Sequence, residues 1–437
     1  MKNAEFSRKT ENWLLFILLS VQFTHIVDFV VLMPLGPKLM RDFHIGTQEF
    51  GFLVSAYTFS AAISGILSSF FLDRFNRKRA LTGLFLGFGI STLLCALAGG
   101  YWPFLTARIL AGAFGGILSA LTLSIIGDYI PLERRGRATG LVLSAFSLAS
   151  VVGVPSGLWI AERTDWHGPF FLLAITCLPV LGIAWKVLPD MVIHIQEGKR
   201  PQAWPRIREV IQTPGARMAF LLMMIMMLAG FSIIPYISPY LVSNCGVRED
   251  QLFLIYLTGG LFTFGASNLS GRLTDRYGAF RVFAWATPLS VIPILILTDL
   301  QPMAMGWILV ITTVFMALLS ARLIPVISMI TQTVEPRLRG TFMSLLASLQ
   351  QSASGAAAWI AGAMITETAE GKMEDYARVG WMASGFSLLA IWIAWKLIPM
   401  LRKDEHPAAS AATNQRPDND LSGHEPHIVQ ESATPLP

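Results

Sequence analysis

The chain has 437 residues, of which 53% are apolar and only 14% are charged, and its formal net charge is +5. A soluble domain carries about 25% charged residues, and a soluble core cannot hide so much apolar surface. This composition excludes an ordinary soluble protein and makes the lipid bilayer the expected surroundings. The basic residues lie in short connections between apolar runs, which argues against nucleic-acid binding.

The remaining composition gives no sign of catalysis or of a bound cofactor. The three cysteines are scattered, and Cys95 and Cys177 lie inside apolar runs, which favours packing over a disulfide framework or a metal site. The sequence shows no nucleophile triad, metal-ligand cluster or phosphate-binding glycine loop. The first apolar run, from Trp13 to Leu35, is too long for a cleaved signal peptide. We therefore expect no enzyme activity, no cofactor and no metal.

Twelve apolar runs have the length of about 20 residues that crosses a bilayer as a helix. They cover residues 13–35, 48–72, 80–99, 102–127, 138–162 and 168–188, then 217–243, 250–273, 281–298, 304–328, 341–366 and 378–401. The predicted fold is an all-α membrane protein with two bundles of six helices. The predicted regions are a terminal segment (1–12), a first bundle (13–188), a linker (189–216), a second bundle (217–402) and a disordered tail (403–437).

Basic residues predict the orientation in the membrane. They crowd into the connections on the side of both termini: Arg8 and Lys9, Arg74 to Arg79, Arg134 to Arg137, Arg206 and Arg208, Arg276 and Arg281, Arg337 and Arg339, and Arg402 and Lys403. The opposite connections hold only a few. Because cytoplasmic loops are enriched in Lys and Arg, we expect both termini in the cytoplasm, in a bacterial inner membrane.

A charged turn appears once in each half of the chain. The first copy runs from Asp73 to Arg79 between two apolar runs, and the second runs from Gly271 to Gly278. A further pair of Arg- and Gly-containing turns runs from Pro131 to Gly140 and from Glu335 to Gly340, and aligning Gly136 with Gly340 gives nearly the same offset. Two independent matches indicate a duplicated membrane protein, an architecture typical of transporters.

These residues resemble the major facilitator superfamily from about Trp13 to Met400. The family's turn after the second span is fully present at Gly271 to Gly278, whereas the first copy has Ser69 and Asn76 where Gly is usual. Span four carries Arg108 with Gly112, Gly115 and Gly116, similar to the family's motif of one Arg and several glycines. In span five, Gly153, Pro155 and Gly157 resemble the drug:proton antiporters and, among them, the arabinose-efflux branch.

The resemblance implies a gate on the cytoplasmic side. In the family, the acid of the first turn lies against the start of span eleven, and an Arg of the turn pairs with an acid that ends span four. Asp73, Arg74, Arg77 and Asp128 stand at the first-half positions. Asp275 and Arg276 repeat the turn in the second half, but Ala279 replaces the pairing Arg. We therefore expect one latch; the alternative is a signal for membrane topology only.

Charged groups at membrane depth are functional by default because they are costly there. Asp28 in span one and Arg108 in span four lie about 12 Å and about 10 Å from the outer ends of their spans by helical rise, so they can pair. Pairing and burial act in opposite directions on the proton affinity of Asp28. We expect a proton-coupling role for this pair and for His25 one turn away; the alternatives are a static pair and a structural histidine.

The predicted substrate cavity contains polar and aromatic residues of both halves. They are Gln22, Phe29, Phe231, Tyr236, Tyr240, Arg322 and Gln350. Arg322 has no acid within the spans of its own half, so it meets either an anionic substrate group or backbone carbonyls near the cytoplasmic mouth, with Asn268 and Gln350 as polar neighbours. Pro235 and Pro239 in span seven, like the Gly and Pro residues of span five, predict interrupted helices that move or pack tightly.

The function we expect is proton-coupled efflux of small apolar or amphipathic molecules such as drugs, sugars or metabolites. The expected partners are lipid, the transported molecule and protons, and the expected state is a monomer. An uptake symporter or a lipid transporter of the same fold is the alternative. A non-transporting membrane sensor fits the costly buried charges less well.

Overall fold

The computed structural model describes residues 8–192, 203–335 and 337–401, apart from the side chains of residues 69, 71, 73, 132, 133 and 203. Most of the predicted terminal segment, part of the predicted linker and the predicted tail lie outside these residues. We number the membrane helices α1 to α12 in chain order.

The first half contains six helical spans. Their bounds are α1 Arg8–Val31, α2 Thr47–Phe71, α3 Arg77–Ala96, α4 Tyr101–Tyr129, α5 from Leu132–Leu143 through Ala145–Leu148 and Ala149–Gly153 to Val154–Arg163, and α6 His167–Val187. A short helix, Gly36–Phe43, follows α1. The apolar periodicity does not reveal this short helix because it lies in a connection.

The second half repeats the pattern. Its spans are α7 from Pro214–Phe231 through Ile234–Tyr236 to Ile237–Ser243, α8 Leu252–Tyr277, α9 Ala279–Thr298, α10 from Met305–Ala321 to Leu323–Thr331, α11 Arg339–Met364 and α12 Tyr376–Leu397. Helix Ala203–Gln212 precedes α7 inside the predicted linker. Two short antiparallel strands, β1 Thr366–Glu367 and β2 Met373–Glu374, connect α11 to α12.

In the described residues, 11 helices are long and apolar enough to cross a membrane. Helix α11 is not among them although it has 26 residues, because its sequence is rich in Ser, Gln and Gly. Its packing explains this composition. The Ser55 hydroxyl of α2 donates to the Gly355 carbonyl over 2.8 Å, and Gly65 of α2 lies opposite the Ser348 hydroxyl. The composition of α11 therefore suits contact with α2 rather than contact with lipid.

Three helices are interrupted near Gly or Pro residues, and the sequence predicts two of these interruptions. Residues Ala149–Gly153 of α5 form a π-helical turn directly before Pro155. In α7, Ile234–Tyr236 forms a 3₁₀ turn that contains Pro235. In α10, the helix breaks at Arg322 shortly before Pro325, whose missing N–H removes a helical hydrogen bond. The predicted interruptions of spans five and seven are confirmed.

Hydrogen bonds between the two halves cluster at one end of the bundle, which carries the α1–α2 connection and which we call the loop end. Arg41 pairs with Glu249 over 2.5 Å. The Thr47 amide donates to the Glu367 carboxylate over 2.7 Å, and the Thr47 hydroxyl donates to the Ile365 carbonyl over 3.0 Å. The opposite end, which carries Arg8 and Leu401, is called the terminal end below. The loop end is closed in this structure.

Candidate functional site

The most deeply buried charges of the first half form one ion pair. Asp28 of α1 and Arg108 of α4 are both fully buried, and Arg108 Nη1 lies 2.8 Å from Asp28 Oδ2. The same nitrogen donates to the Asp28 carbonyl over 3.2 Å, and the Thr92 hydroxyl of α3 lies 3.4 Å from Asp28 Oδ1. The pairing expected from equal membrane depth is present, and three helices meet at this carboxylate.

Tyr57 of α2 covers the cation. The Arg108 guanidinium carbon lies 4.4 Å from the centre of the Tyr57 ring, a cation–π distance. Arg108 Nε and Nη2 have no hydrogen-bond partner among the described residues. The cation therefore holds one carboxylate and one aromatic face while two of its nitrogens remain free to bond elsewhere.

The glycines of the Arg108 motif bring α2 and α4 together. A Cβ atom at Gly112 or Gly116 would overlap the backbone of Tyr57 or Ala61, and one at Gly115 would stand 2.7 Å from the Tyr57 hydroxyl oxygen. These glycines therefore allow the close approach that places the Tyr57 ring against Arg108. Helix α4 therefore supplies both the cation, Arg108, and the glycines that leave space for the Tyr57 ring.

A small polar cluster begins one turn before Asp28 on α1. His25 Nε2 lies 2.5 Å from Gln22 Oε1 and 3.0 Å from the Ser119 hydroxyl of α4, and that hydroxyl lies 3.3 Å from Gln22 Oε1. His25 and Gln22 are buried. The structure thus brings together two residues that the sequence singles out and a serine that it does not.

Aromatic residues connect this cluster to the second half. The Phe29 ring stacks on Tyr57 with centroids 5.2 Å apart and on Phe231 of α7 with centroids 6.0 Å apart. Phe29 and Phe231 are each partly exposed. Tyr236 and Tyr240 are buried, and their hydroxyls donate to backbone carbonyls of Ala358 and Leu300. Of the four predicted aromatic cavity residues, Phe29 and Phe231 lie together beside the ion pair.

Arg322 and Gln350 do not meet. Arg322 is buried and donates to the hydroxyls of Ser290 and Ser387, on α9 and α12. Gln350 donates to the Met223 sulfur over 3.3 Å, and Asn268 donates to a carbonyl of its own helix. Arg322 therefore bonds to hydroxyl groups of α9 and α12, and Asn268 and Gln350, its expected polar neighbours, bond elsewhere.

At the terminal end, Arg77 and Asp128 form the expected contact. Arg77 Nε lies 3.0 Å from Asp128 Oδ2, and Arg77 also donates to the Leu72 carbonyl. Arg74 is exposed, and the side chain of Asp73 lies outside the described residues. In the second copy, Asp275 and Arg276 are exposed, and Arg276 rests on the Tyr277 ring at 5.3 Å.

Gly153 and Gly157 place α5 against α1 at the level of the ion pair. A Cβ atom at Gly153 would overlap Val27, the neighbour of Asp28, and one at Gly157 would lie 2.7 Å from a Val31 methyl carbon. Pro155 is the second residue of the segment after the π-helical turn, and it has no N–H to donate to a carbonyl of that turn. These residues set the distance between α5 and the helix that carries Asp28.

Comparison with known proteins identifies the family. The sequence profile of the Major Facilitator Superfamily matches residues 18–358 and matches again at residues 219–426. The chain belongs to the Major Facilitator Superfamily. It is therefore a multi-pass membrane transporter and not an enzyme, and the predicted fold class is confirmed. The second match begins at the start of α7, in accordance with the repeated turns.

Other members of the superfamily resemble the chain over most of its length. It is 26% identical over 364 residues to the "Uncharacterized MFS-type transporter YceJ" of Bacillus subtilis, covering 82% of this chain and 89% of that protein. It is 25% identical over 260 residues to a "Probable sugar efflux transporter" of Helicobacter pylori, covering 59% of this chain and 65% of that protein. The solved structure of a D-xylose–proton symporter superposes with a TM-score of 0.75 at 17% identity, covering 89% of this chain and 98% of that one.

The sequence alone does not identify three residues of the site. Tyr57, Thr92 and Ser119 contact Arg108, Asp28 and His25 respectively. Each stands in an apolar helix in which hydroxyl-bearing residues are common, and most of those bond to their own helix. Neither spacing nor residue type distinguishes them within the superfamily pattern, so only the packing of α1 to α4 reveals them.

Proposed function

We propose that this transporter exports small amphipathic molecules in exchange for protons by alternating access. The observation that carries the proposal is the fully buried Asp28–Arg108 pair with its 2.8 Å contact. Asp28 is the proton site, Arg108 is its counter-charge, and His25 lies beside them on the same helix. Buried ionisable groups in membrane spans mark ion pathways and proton relays.

The pair converts proton binding into movement. When Asp28 binds a proton, its attraction to Arg108 falls, and Arg108 retains the Tyr57 ring, the Asp28 carbonyl and the neighbouring Cys95 thiol as partners. Two free nitrogens of Arg108 then favour new acceptors. Because Asp28 joins α1 to α3 and α4, its protonation loosens the contact on which the position of α1 depends. Restoring the pair releases the proton.

The substrate region is the polar and aromatic surface beside the pair. Gln22, His25 and Ser119 offer hydrogen bonds, while Phe29 and Phe231 offer stacked rings from both halves. A molecule with hydroxyl groups and an apolar face, such as a sugar, satisfies both. The name of the Helicobacter pylori relative supports sugar efflux as the first substrate class to test.

The orientation follows from charge. The terminal end carries the basic turns, so we place it in the cytoplasm of a bacterial inner membrane, with the protein as a monomer. The closed loop end then faces outward, and we expect opening toward the cytoplasm from this arrangement. We infer that the turn containing Asp73 and Arg74 closes the terminal end against the second half in the opposite state, and that Arg77 and Asp128 hold this turn in place within the first half.

Transport into or out of proteoliposomes with an imposed pH gradient tests this function. Purified protein would be reconstituted and assayed with a panel of sugars, cationic drugs and small metabolites. We expect gradient-driven flux of at least one class, and we expect Asp28→Asn to reduce that flux at least tenfold. Exchange of labelled for unlabelled substrate without a gradient should persist, because the asparagine still fills the site without binding a proton.

Glu370→Gln is the matched control, because Glu370 is an exposed carboxylate in the β1–β2 connection. It should leave both assays unchanged. Gradient-driven flux in Asp28→Asn equal to that of the unaltered protein would remove Asp28 from the coupling mechanism. Flux that ignores the pH gradient in the unaltered protein would refute proton coupling itself.

A further inference from the structure

A buried cation without a counter-charge lies in the second half of the chain. Arg322 is 1% exposed and stands where α10 is interrupted. Pro325 cannot donate a hydrogen bond to the Ala321 carbonyl, and the Ser270 hydroxyl donates to that carbonyl instead over 2.5 Å. The break in α10 is therefore stabilised by a specific bond, and Arg322 faces α9 and α12.

The partners of Arg322 are neutral. Its Nη1 donates to the Ser387 hydroxyl over 2.8 Å and to the Ser290 hydroxyl over 3.3 Å. The Ser387 hydroxyl donates in turn to the Ala383 carbonyl, and the Ser290 hydroxyl donates to the Thr287 carbonyl. No carboxylate among the described residues forms an ion pair with Arg322, in contrast to Arg108. Arginine cannot shed its charge by losing a proton, so the positive charge remains uncompensated.

Three hydrogen-bond donors in this region have no acceptor among the described residues. They are Arg322 Nε, the Thr287 hydroxyl and the Ser384 hydroxyl. Thr287 precedes Ser290, and Ser384 precedes Ser387, by one helical turn, so each lies on the same helix face as a serine that holds Arg322. A guanidinium and two hydroxyls that all have hydrogens to donate, with no negative group beside them, form the kind of site that binds an anion.

We propose that Arg322, Thr287 and Ser384 bind a small inorganic anion of the size of chloride between α9, α10 and α12. The anion supplies the missing counter-charge and accepts hydrogen bonds from the three spare donors. Thr287, Ser290 and Ser387 are at most 1% exposed and Ser384 is 3% exposed. Such an enclosed site favours a compact ion over the carboxylate of an organic molecule. All its residues belong to the second half, so the site is separate from the Asp28–Arg108 pair.

Thermal unfolding of the purified full-length protein tests the site without any transport assay. Chloride would replace gluconate at constant ionic strength, and bromide and acetate would be tested in parallel arms. We expect the unfolding midpoint to rise with chloride and with bromide and to level off as the site fills. We expect acetate to have no effect, because the residues of the site are at most 3% exposed and acetate is larger than chloride or bromide.

The double variant Thr287→Val with Ser384→Ala removes two spare donors and retains Arg322 in nearly the same volume. We expect the chloride concentration at half effect to rise at least tenfold. Ser124→Ala with Thr176→Val is the matched control, because these hydroxyls bond only to carbonyls of their own helices. Equilibrium binding of radiolabelled chloride should follow the same order. A midpoint independent of chloride, a response to acetate alone, or a double variant that responds like the unaltered protein would overturn the proposal.

Discussion

Two buried arginines at membrane depth are stabilised in different ways. Arg108 has a carboxylate 2.8 Å away and an aromatic ring below it. Arg322 has two serine hydroxyls and no carboxylate among the described residues. A charge in hydrocarbon costs several kcal/mol unless it is paired, so the first arrangement is complete within the chain. The second arrangement requires a partner from solution.

Replacing Asp28 and replacing Arg108 by apolar residues should lower the free energy of unfolding by different amounts. Asp28→Leu leaves a buried cation that cannot lose its proton, so we expect a loss of about 3–5 kcal/mol in the free energy of unfolding. Arg108→Met should cost less, because Asp28 can bind a proton and become neutral. Unfolding of both variants at neutral pH, in the same detergent, measures the difference.

The double variant Asp28→Leu with Arg108→Met should recover part of the larger loss, since replacing both members of a buried pair leaves no isolated charge. The exposed pair of Arg248 and Asp250, 2.9 Å apart, is the control. Truncation there should change stability by less than about 1 kcal/mol. Equal losses for the two single variants would contradict the view that the charge state of the remaining partner decides the cost.

Within single helices, the positions of the glycines determine how closely a neighbouring helix can approach. The glycines of α4 admit Tyr57, and those of α5 admit Val27 and Val31 of α1. The π-helical turn at Ala149–Gly153 adds an irregular segment where α5 passes the ion pair. Such turns frequently occur at functional sites because they shift the register of the side chains that follow. Close contact with α5 thus positions Asp28 on α1, and close contact between α4 and α2 positions Tyr57 against Arg108.

Gly153→Ala should disturb the helix that carries Asp28. The added Cβ atom would overlap Val27, so one helix must shift, and we expect a loss of about 1–3 kcal/mol in unfolding free energy. We also expect reduced gradient-driven flux. Val27→Ala, combined with Gly153→Ala, should restore both because it removes the methyl groups that collide. Thermal unfolding and proteoliposome flux provide the two measurements.

Gly83→Ala in α3 is the matched control, because nothing lies within 4 Å of a Cβ atom at that position. An alanine in a helix interior is favoured over glycine by about 0.5–1 kcal/mol, so this variant should be neutral or slightly stabilised. If Gly153→Ala behaved like Gly83→Ala, α5 would not set the position of α1.

In the molecule as a whole, the two halves are joined at the loop end. The Arg41–Glu249 pair and the bond from the Thr47 amide to Glu367 cross between the halves. The Arg77–Asp128 contact at the terminal end lies within the first half. A transporter that works by alternating access must break the loop-end bonds in every cycle. These bonds are exposed or partly exposed, so each is individually weak.

Cross-linking the loop end should therefore stop transport. In a chain whose three native cysteines are replaced by alanine, Arg41→Cys with Glu249→Cys would be joined by a short thiol cross-linker. We expect flux to fall to background and to recover after cleavage of a reducible linker. Asp375→Cys with Arg378→Cys is the control, since that pair is also at the loop end but within one half. Flux that survives the Arg41–Glu249 cross-link would mean that this end does not open.

Much of the architecture follows from the sequence because the bilayer imposes simple rules. Apolar runs of membrane length place the helices, Gly and Pro mark the breaks in α5 and α7, and similar depth predicts that Asp28 and Arg108 meet. The apolar run predicted at 341–366 is also a helix, Arg339–Met364, although it is too polar for a composition criterion. Domain boundaries, orientation, proton coupling and the gate stay predictions.

What the tertiary structure alone decides is which polar side chains share a site. The pairing of Asp28 with Arg108 can be predicted from the sequence, because the position of each residue in its span gives its depth below the same membrane surface. Rotation of a helix about its axis is not encoded so directly: the contacts of Ser119 with His25, of Tyr57 with Arg108, and of Arg322 with Ser387 depend on it. Packing of small residues sets those rotations, because glycines determine which helix faces can touch. The sequence therefore determines the helices and their depth, and the tertiary packing determines their partners.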